Sequence, residues 1–408
     1  MRRCKCSFSQ EDQKMKYASP YTPGAGAMPF CLAGRDDALK DAERHLEALI
    51  KGYPAQPVIY YGLRGVGKTV LLNAVEKRAD EREIIYSHVE AAEKRDFLLQ
   101  IANASKKIIH KVSAGEALRN MGRKALGVLQ AFNVTYNPSE QTFSAGLSEI
   151  SGDVATGVLA DDLTEMLVEM GKLAAKAKKQ ICFFIDEIQY MKNDEMEALV
   201  NAFHRISQLR LPVMMFGAGL PKILRIMGEV KTYSERLFKF VPVAQLSEID
   251  ARQAIVEPAA DAGVLYTESA VTAILKWTRG YPFFIQEFCA ILWEYTEKEI
   301  VEKTDAERVV NTYLARLDES FFRVRFEHCT KKEHDFLFAM VRCGELPCTI
   351  SNVAMMMKKK VNSISPMRAQ LINKGIIYSA AHGTIDFTVP LFDEYLKRIN
   401  PELRLESE

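Results

Sequence analysis

The sequence predicts an α/β chain: a parallel sheet with helices on both faces, followed by an all-helical region and a terminal module of helices and a hairpin. Three observations carry this. The apolar stretch Val58-Ile59-Tyr60-Tyr61 runs into a glycine-rich loop and then into helical spacing. A continuous apolar run, Ile181-Cys182-Phe183-Phe184-Ile185, ends in the acids Asp186 and Glu187, as a strand buried on both faces of a parallel sheet does. From Ser247 onward the alternation of strands and helices stops, and only helices follow until a hairpin near residue 380.

In chain order, residues 1–28 are polar and end in Ser-Pro-Tyr-Thr-Pro-Gly-Ala-Gly-Ala, which predicts an irregular arm in which little folding begins. Gly34-Arg35-Asp36 precedes an amphipathic helix bearing Leu39, Ala42, Leu46 and Leu49. After the first strand, the glycine loop opens a helix carrying Val70, Leu71, Ala74 and Val75, and Ile84–Val89 is the next strand, a right-handed strand-helix-strand unit. Between Ala91 and Lys179 the pattern is helical, apart from a patch at 133–157 rich in Ser, Gly, Asn and Thr; Leu163, Met166, Leu167, Met170 and Leu173 lie on one buried face. A helix from Asn193 places Met196, Leu199, Val200, Phe203, Ile206 and Leu209 together, and Leu211 to Phe216 gives another buried strand, closing on Gly217-Ala218-Gly219-Leu220-Pro221. Ser247 with Asp250, Thr304 with Glu307 and Thr330 with Glu333 read as helix N-caps, and Pro282 suits a first helical turn. The strands Gly375–Ser379 and Thr384–Thr388 flank the turn His382-Gly383, so helices followed by this hairpin look like a winged helix.

The most specific signal is Gly62-Leu63-Arg64-Gly65-Val66-Gly67-Lys68-Thr69, which fits G-x-x-x-x-G-K-[ST] at every position. Gly62, Gly65 and Gly67 let the backbone curl into a nest of N–H donors around a polyphosphate, at the positive end of the following helix. Lys68 then reaches the terminal phosphates, and Thr69 offers a hydroxyl to Mg2+, which takes few protein ligands and keeps several waters. Asp186 and Glu187 supply the carboxylates that such chemistry needs at the end of a neighbouring strand.

Composition narrows the classes. A chain of 408 residues with 48% hydrophobic content can bury more than one core. Lysine plus arginine (54) and aspartate plus glutamate (53) nearly cancel, so global charge points to neither nucleic acid nor membrane. No apolar run approaches the ~18 residues that span a bilayer, and Arg2-Arg3 is not followed by a signal-peptide apolar stretch. The eight cysteines, at 4, 6, 31, 182, 289, 329, 343 and 348, lack paired C-x-x-C spacing, and Cys182 and Cys289 read as core. A cytoplasmic protein with reduced thiols and no membrane partner is expected.

Together the motifs resemble AAA-type and STAND-type P-loop ATPases, specifically the bacterial and archaeal ATPases built like the Orc1/Cdc6 replication initiators. The resemblance rests on Leu32–Asp36, Gly62–Thr69, Ile185–Gln189, Gly217–Pro221, Tyr233–Phe238, Gly280-Tyr281-Pro282 and the terminal module, and it spans nearly the whole chain. It implies a P-loop NTPase core over 29–244, a helical lid over 245–326 and a winged helix over 327–408, with ATP and Mg2+ as cofactors. The implied nucleotide contacts are Gly34 and Arg35 near the adenine with Asp36, the loop residues Gly62, Gly65, Val66, Gly67, Lys68, Thr69 and Val70, and Gly280 and Pro282 of the lid. The implied metal holders are Thr69 and Asp186; the implied catalytic set is Lys68, Glu187 as the water-activating acid, and Arg236 sensing the γ-phosphate in cis or reaching a neighbouring subunit. Two departures imply slow turnover: Gly217-Ala218-Gly219 lacks the polar side chain that many AAA proteins place there to position water, and Arg279 does not match the initiators' lid arginine.

Residues 330–399 hold ten lysines and arginines against six acids. Lys358-Lys359-Lys360 precedes Asn362–Gln370, which occupies the place of a recognition helix, so phosphate contacts from the lysines with Ser365, Arg368 and Gln370 facing a groove are expected. Three functions compete: a slow Mg2+-dependent ATPase acting as a conformational switch; a DNA-binding, initiator-like or regulatory protein in which ATP only sets conformation; and a scaffold that assembles with itself or another protein through Arg236.

Overall fold

The computed structural model describes residues 18–92, 96–113, 118–136, 156–231, 234–296, 298–381 and 383–405. The chain divides into two compact units, one made of Asp36–Arg64 and Lys68–Ala244, the other of the chain up to Arg35, Gly65–Gly67 and Gln245 onward.

The first unit is built on a parallel sheet of β1 (Val58–Tyr61), β2 (Ile85–Glu90), β3 (Ile181–Asp186), β4 (Val213–Gly219) and β5 (Lys239–Pro242), in the order β2-β3-β4-β1-β5. β3 and β4 are buried at every residue, which is why their sequences are unbroken apolar runs rather than alternating ones. Register places Val58 beside Phe216 and Lys239, and Ile181 beside Ile85 and Val213. Stacked rings cross the sheet, Phe216 with Phe184 at 5.7 Å and with Tyr60 at 6.3 Å between centroids. Asp36–Lys51 precedes β1 as a helix, burying Ala42, Leu46 and Leu49. Phe97–Val112, Arg119–Tyr136 and Leu159–Ala177 fill the connection from β2 to β3, as the helical pattern there predicts. The patch at 133–157 lies mostly outside the described residues; Asn133 ends up buried in a helix, and Asp162 gathers the N–H of Thr156 and Gly157 and the Tyr136 hydroxyl. Leu209, expected on the buried face of Asn193–Gln208, is instead the exposed residue that ends it. β5 was not anticipated: it is four residues long, half-buried and ends in Pro242, a residue tolerated at a sheet edge because it has no N–H to offer.

The second unit is helical with two small sheets, which corrects the expectation of helices alone. β6 (Leu265–Tyr266) and β7 (Ile300–Val301) pair in parallel, too short to leave a periodic trace. Ser247 accepts the Asp250 N–H at 3.2 Å and Thr330 forms a reciprocal pair with Glu333, as the sequence predicts. Thr304 does not cap: the helix Lys303–Leu317 has its N-cap two residues earlier at Glu302, whose N–H donates to the Asp305 carboxylate at 3.0 Å. Beyond Lys331–Arg342 come β8 (Cys348–Thr349), helices Ile350–Met356 and Val361–Asn373, then β9 (Ile377–Tyr378) and β10 (Thr384–Phe387). The predicted hairpin is therefore part of a three-stranded antiparallel sheet in the order β8-β10-β9; its turn residue His382 lies outside the described residues. One core runs from Tyr21 through Phe284, Phe322 and Tyr395 to Leu403, with Phe322 stacked on Tyr395 at 5.3 Å.

The arm also departs from expectation. Its described residues, 18–28, form no helix or strand, but Tyr21 is 3% exposed and its hydroxyl donates to the Ile255 carbonyl. Cys182 and Cys289 are fully buried free thiols, and Cys4 and Cys6 lie outside the described residues. Among the described residues no helix is long and apolar enough to cross a membrane.

Candidate functional site

In the sheet unit, Lys68 and Thr69 start the helix Lys68–Asp80, directly after the loop that follows β1. The Thr69 hydroxyl donates to Asp186 Oδ2 at 2.7 Å, and the other Asp186 oxygen accepts the Glu187 N–H at 2.7 Å. A hydroxyl and a carboxylate brought together at the carboxyl end of a parallel strand are hard oxygen donors suited to Mg2+. Burial pushes the Asp186 carboxyl up from 3.8, a tendency opposed by those two hydrogen bonds and by Lys68. Lys68 is 9% exposed, its ammonium donating to the Leu63 carbonyl at 2.8 Å. Burial lowers its pKa to about 8, helped by Arg64 and resisted by Glu187 and Asp186. A desolvated ammonium with one carbonyl partner is primed for a polyanion.

Glu187 adopts a left-handed conformation, φ 51° and ψ 33°, at the start of the tight turn Ile188–Tyr190. Its carboxylate meets Arg64 Nη1 at 3.5 Å and accepts a hydrogen bond from the Gln189 amide. The Arg64 guanidinium also donates to the Tyr190 hydroxyl at 2.8 Å, and the Lys222 ammonium lies over the Tyr190 ring at 5.2 Å. Arg64 and Tyr190 did not stand out in the sequence, because one fills a variable position of the loop pattern and the other follows it by more than a hundred residues.

In the other unit, Gly65 and Gly67 take φ of 79° and 88°, the region in which a nest of N–H groups forms. Arg35 donates to the carbonyls of Gly34 at 3.1 Å and Val66 at 2.9 Å, so the Gly-Arg segment is tied to the loop. Burial lowers the Arg35 pKa, against the pull of Asp250. Gly280, at φ 73°, accepts the Leu246 N–H at 2.9 Å, and Pro282 opens the helix Pro282–Tyr295, whose Phe283 N–H donates to the Gly65 carbonyl at 3.1 Å.

Arg236 joins none of these groups. It is exposed on the short helix Ser234–Leu237, its backbone carbonyl accepts from Gln56 at 2.7 Å, and its side chain makes no ion pair among the described residues. Tyr233 of the same motif lies outside the described residues. Val70, the third residue of the helix Lys68–Asp80, is half-buried.

The five-stranded parallel sheet with flanking helices, the glycine loop after β1 and the acid pair after β3 define the class of fold: it is that of the P-loop ATPases. Residues 32–216 match a family described as the AAA ATPase domain, and residues 319–396 match one described as a domain of unknown function (DUF8462). No curated protein matches the chain. Among solved structures it is similar to the Walker-type ATPase PABY2304 of Pyrococcus abyssi, at 13% identity and a TM-score of 0.55, covering 90% of this chain and 96% of that one. It is similar also to the Aeropyrum pernix Orc1 protein in complex with DNA, at 14% identity and 0.46 over 92% and 95% of the two chains. The Thermotoga maritima RuvB Holliday junction branch migration motor follows at 13% and 0.45, over 91% and 99%.

Proposed function

We propose that this protein binds ATP with Mg2+ and hydrolyses it slowly, using the bound nucleotide as a conformational switch of the Orc1-like kind. The carrying observation is the 2.7 Å bond between Thr69 and Asp186 beside the buried ammonium of Lys68. Mg2+ bound there would neutralise charge on the leaving phosphates. Thr69 and Asp186 would hold it, the latter through water, while Lys68 engages the terminal phosphates and the N–H groups of Gly65 to Val70 cradle the chain of oxygens. Gly62 shapes the start of the loop, and Gly34, Arg35, Gly280 and Pro282 border the base. Glu187 takes a proton from the attacking water; the new bond forms at the γ-phosphorus and the bond to the bridging oxygen breaks, releasing ADP. Arg236, exposed and without an ion-pair partner among the described residues, is the candidate γ-phosphate sensor, acting in cis or as a finger toward a second copy. Slow turnover follows from β4, which ends in Gly217-Ala218-Gly219 without a polar side chain of its own.

Magnesium-dependent hydrolysis by the full chain, with Glu187→Gln as the blank, tests this. Lys68→Ala should abolish nucleotide binding; Glu187→Gln should bind normally and lose turnover, and normal hydrolysis in that variant would sink the assignment.

A second reading has support of its own. The β8-helix-helix-β9-β10 arrangement fits a winged helix, and Lys358, Lys359 and Lys360 are all exposed ahead of the helix Val361–Asn373. Arg368 in that helix is braced by a 2.8 Å bond to the Ser379 hydroxyl. We read this face as a site for duplex DNA phosphates. Replacing the three lysines by glutamate should abolish a salt-dependent association with duplex DNA; stimulation of hydrolysis by DNA would join the two readings, and indifference would favour a protein partner for the module.

A further inference from the structure

The end of β4 has no polar side chain, yet it is not without a polar group. Gln189, 3% exposed in the turn after β3, accepts the Leu220 N–H on its amide oxygen at 2.9 Å. The same amide donates through its nitrogen to Glu187 Oε2. A Cβ at position 219 would stand 2.7 Å from that amide oxygen and 2.9 Å from Ile188 Cγ2. Gln189 therefore fills the space into which a side chain at 219 would project, and glycine at 219 is the condition for its doing so.

We propose that Gln189 is the positioning residue for Glu187, bridging the end of β4 to the carboxylate from the neighbouring strand's turn. This deepens the reading of Glu187 as the base and rests on it. The amide suits the task because its two ends differ: the oxygen takes an N–H and the nitrogen feeds a carboxylate. A left-handed backbone is disfavoured at a non-glycine residue, so Glu187 stays there only while its surroundings hold it. Arg64 braces the second oxygen, and its own second contact, to Tyr190, keeps that brace in register. A movement of β4's end thus reaches the carboxylate through one side chain.

The test uses the full-length protein. In Gln189→Ala, kcat should fall on the order of 10²-fold with KM for ATP changed less than about threefold, since a misplaced base is lost in the transition state alone. Gly219→Ala should reproduce that loss in the wild-type background and add less than about twofold in Gln189→Ala, because both changes break one link. Hydrogen exchange at the Leu220 amide reads the link without nucleotide and should speed up roughly tenfold or more in Gln189→Ala. Wild-type kcat in Gln189→Ala, or unchanged exchange at Leu220, overturns the inference even where hydrolysis by the parent protein is slow. Normal turnover in Glu187→Gln overturns the base assignment and the inference with it, and this failure is distinguishable because it is read in a different variant.

Discussion

Thr69 Oγ1 lies 2.7 Å from Asp186 Oδ2, joining the first turn of the helix after the glycine loop to the end of β3, 117 residues later in the chain. The hydroxyl donates its proton to the carboxylate, which leaves its lone pairs for a cation. Removing either partner should therefore uncouple nucleotide affinity from Mg2+. For Thr69→Ala we expect the gain in ATP affinity produced by Mg2+ to shrink by about tenfold, roughly one charge-assisted interaction. Calorimetric titrations with Mg2+ and with EDTA measure it, and an undiminished Mg2+ effect would remove Thr69 from the metal site.

Lys68 makes the site sensitive to alkali. Its pKa falls from 10.5 to about 8 because burial disfavours the charged form. The unfolded chain then holds more protons than the folded one between those values, so folding stability should rise with pH from about 8 toward 10.5, by up to about 3 kcal/mol. Nucleotide binding should go the opposite way. A bound polyanion restores the ammonium, so ATP affinity should drop above about pH 8 and binding there should take up a proton. Titrations near pH 9 in two buffers of unequal ionisation heat would show the uptake; equal heats in the two buffers would show that Lys68 is already charged before ATP binds.

The amino-terminal arm should contribute to stability. Tyr21 is buried, packs edge-on to Trp293 at 6.2 Å and donates to the Ile255 carbonyl. Tyr21→Ala should cost about 3–5 kcal/mol, as for other buried aromatics, and Tyr21→Phe about 1 kcal/mol for the hydrogen bond. Urea midpoints measure both; an unchanged midpoint in Tyr21→Ala would show that the arm does not pack in solution.

What the sequence reveals and what it hides follow from the range of the interactions. The loop Gly62–Thr69 and the strands β1, β3 and β4 are legible because spacing and apolar runs are local properties, and each strand is buried on both faces. β5 and the pair β6–β7 are hidden because two to four half-exposed residues cannot show a period. Thr304 misleads because the acid pair Glu302 and Asp305 offers a competing cap two residues earlier. Tyr21 is hidden by its Pro- and Gly-rich neighbours, which signal irregular backbone and say nothing of burial. Gln189 is visible only as part of a motif; its role depends on how the turn after β3 meets the end of β4. The one clue in the sequence is the missing polar residue at 217–219, which leaves a place for another element to fill.

Gly280 offers a test of the proposed lid without touching a charged group. Its φ of 73° disfavours any L side chain, and an added Cβ would stand 2.9 Å from the Leu246 carbonyl oxygen, which is backbone and cannot swing aside. Gly263 shares the conformation, at φ 79°, but has open space around it. Both Gly280→Ala and Gly263→Ala should lose about 1–2 kcal/mol of stability from backbone strain alone. Only Gly280→Ala must also displace Leu246, whose N–H donates to the Gly280 carbonyl, and with it the start of the helix whose Phe283 N–H donates to Gly65. ATP affinity should therefore fall several-fold in Gly280→Ala, on the order of a lost hydrogen bond, and stay unchanged in Gly263→Ala at matched folded fraction. Equal affinities in the two variants would show that the glycine before Pro282 serves the helix end alone.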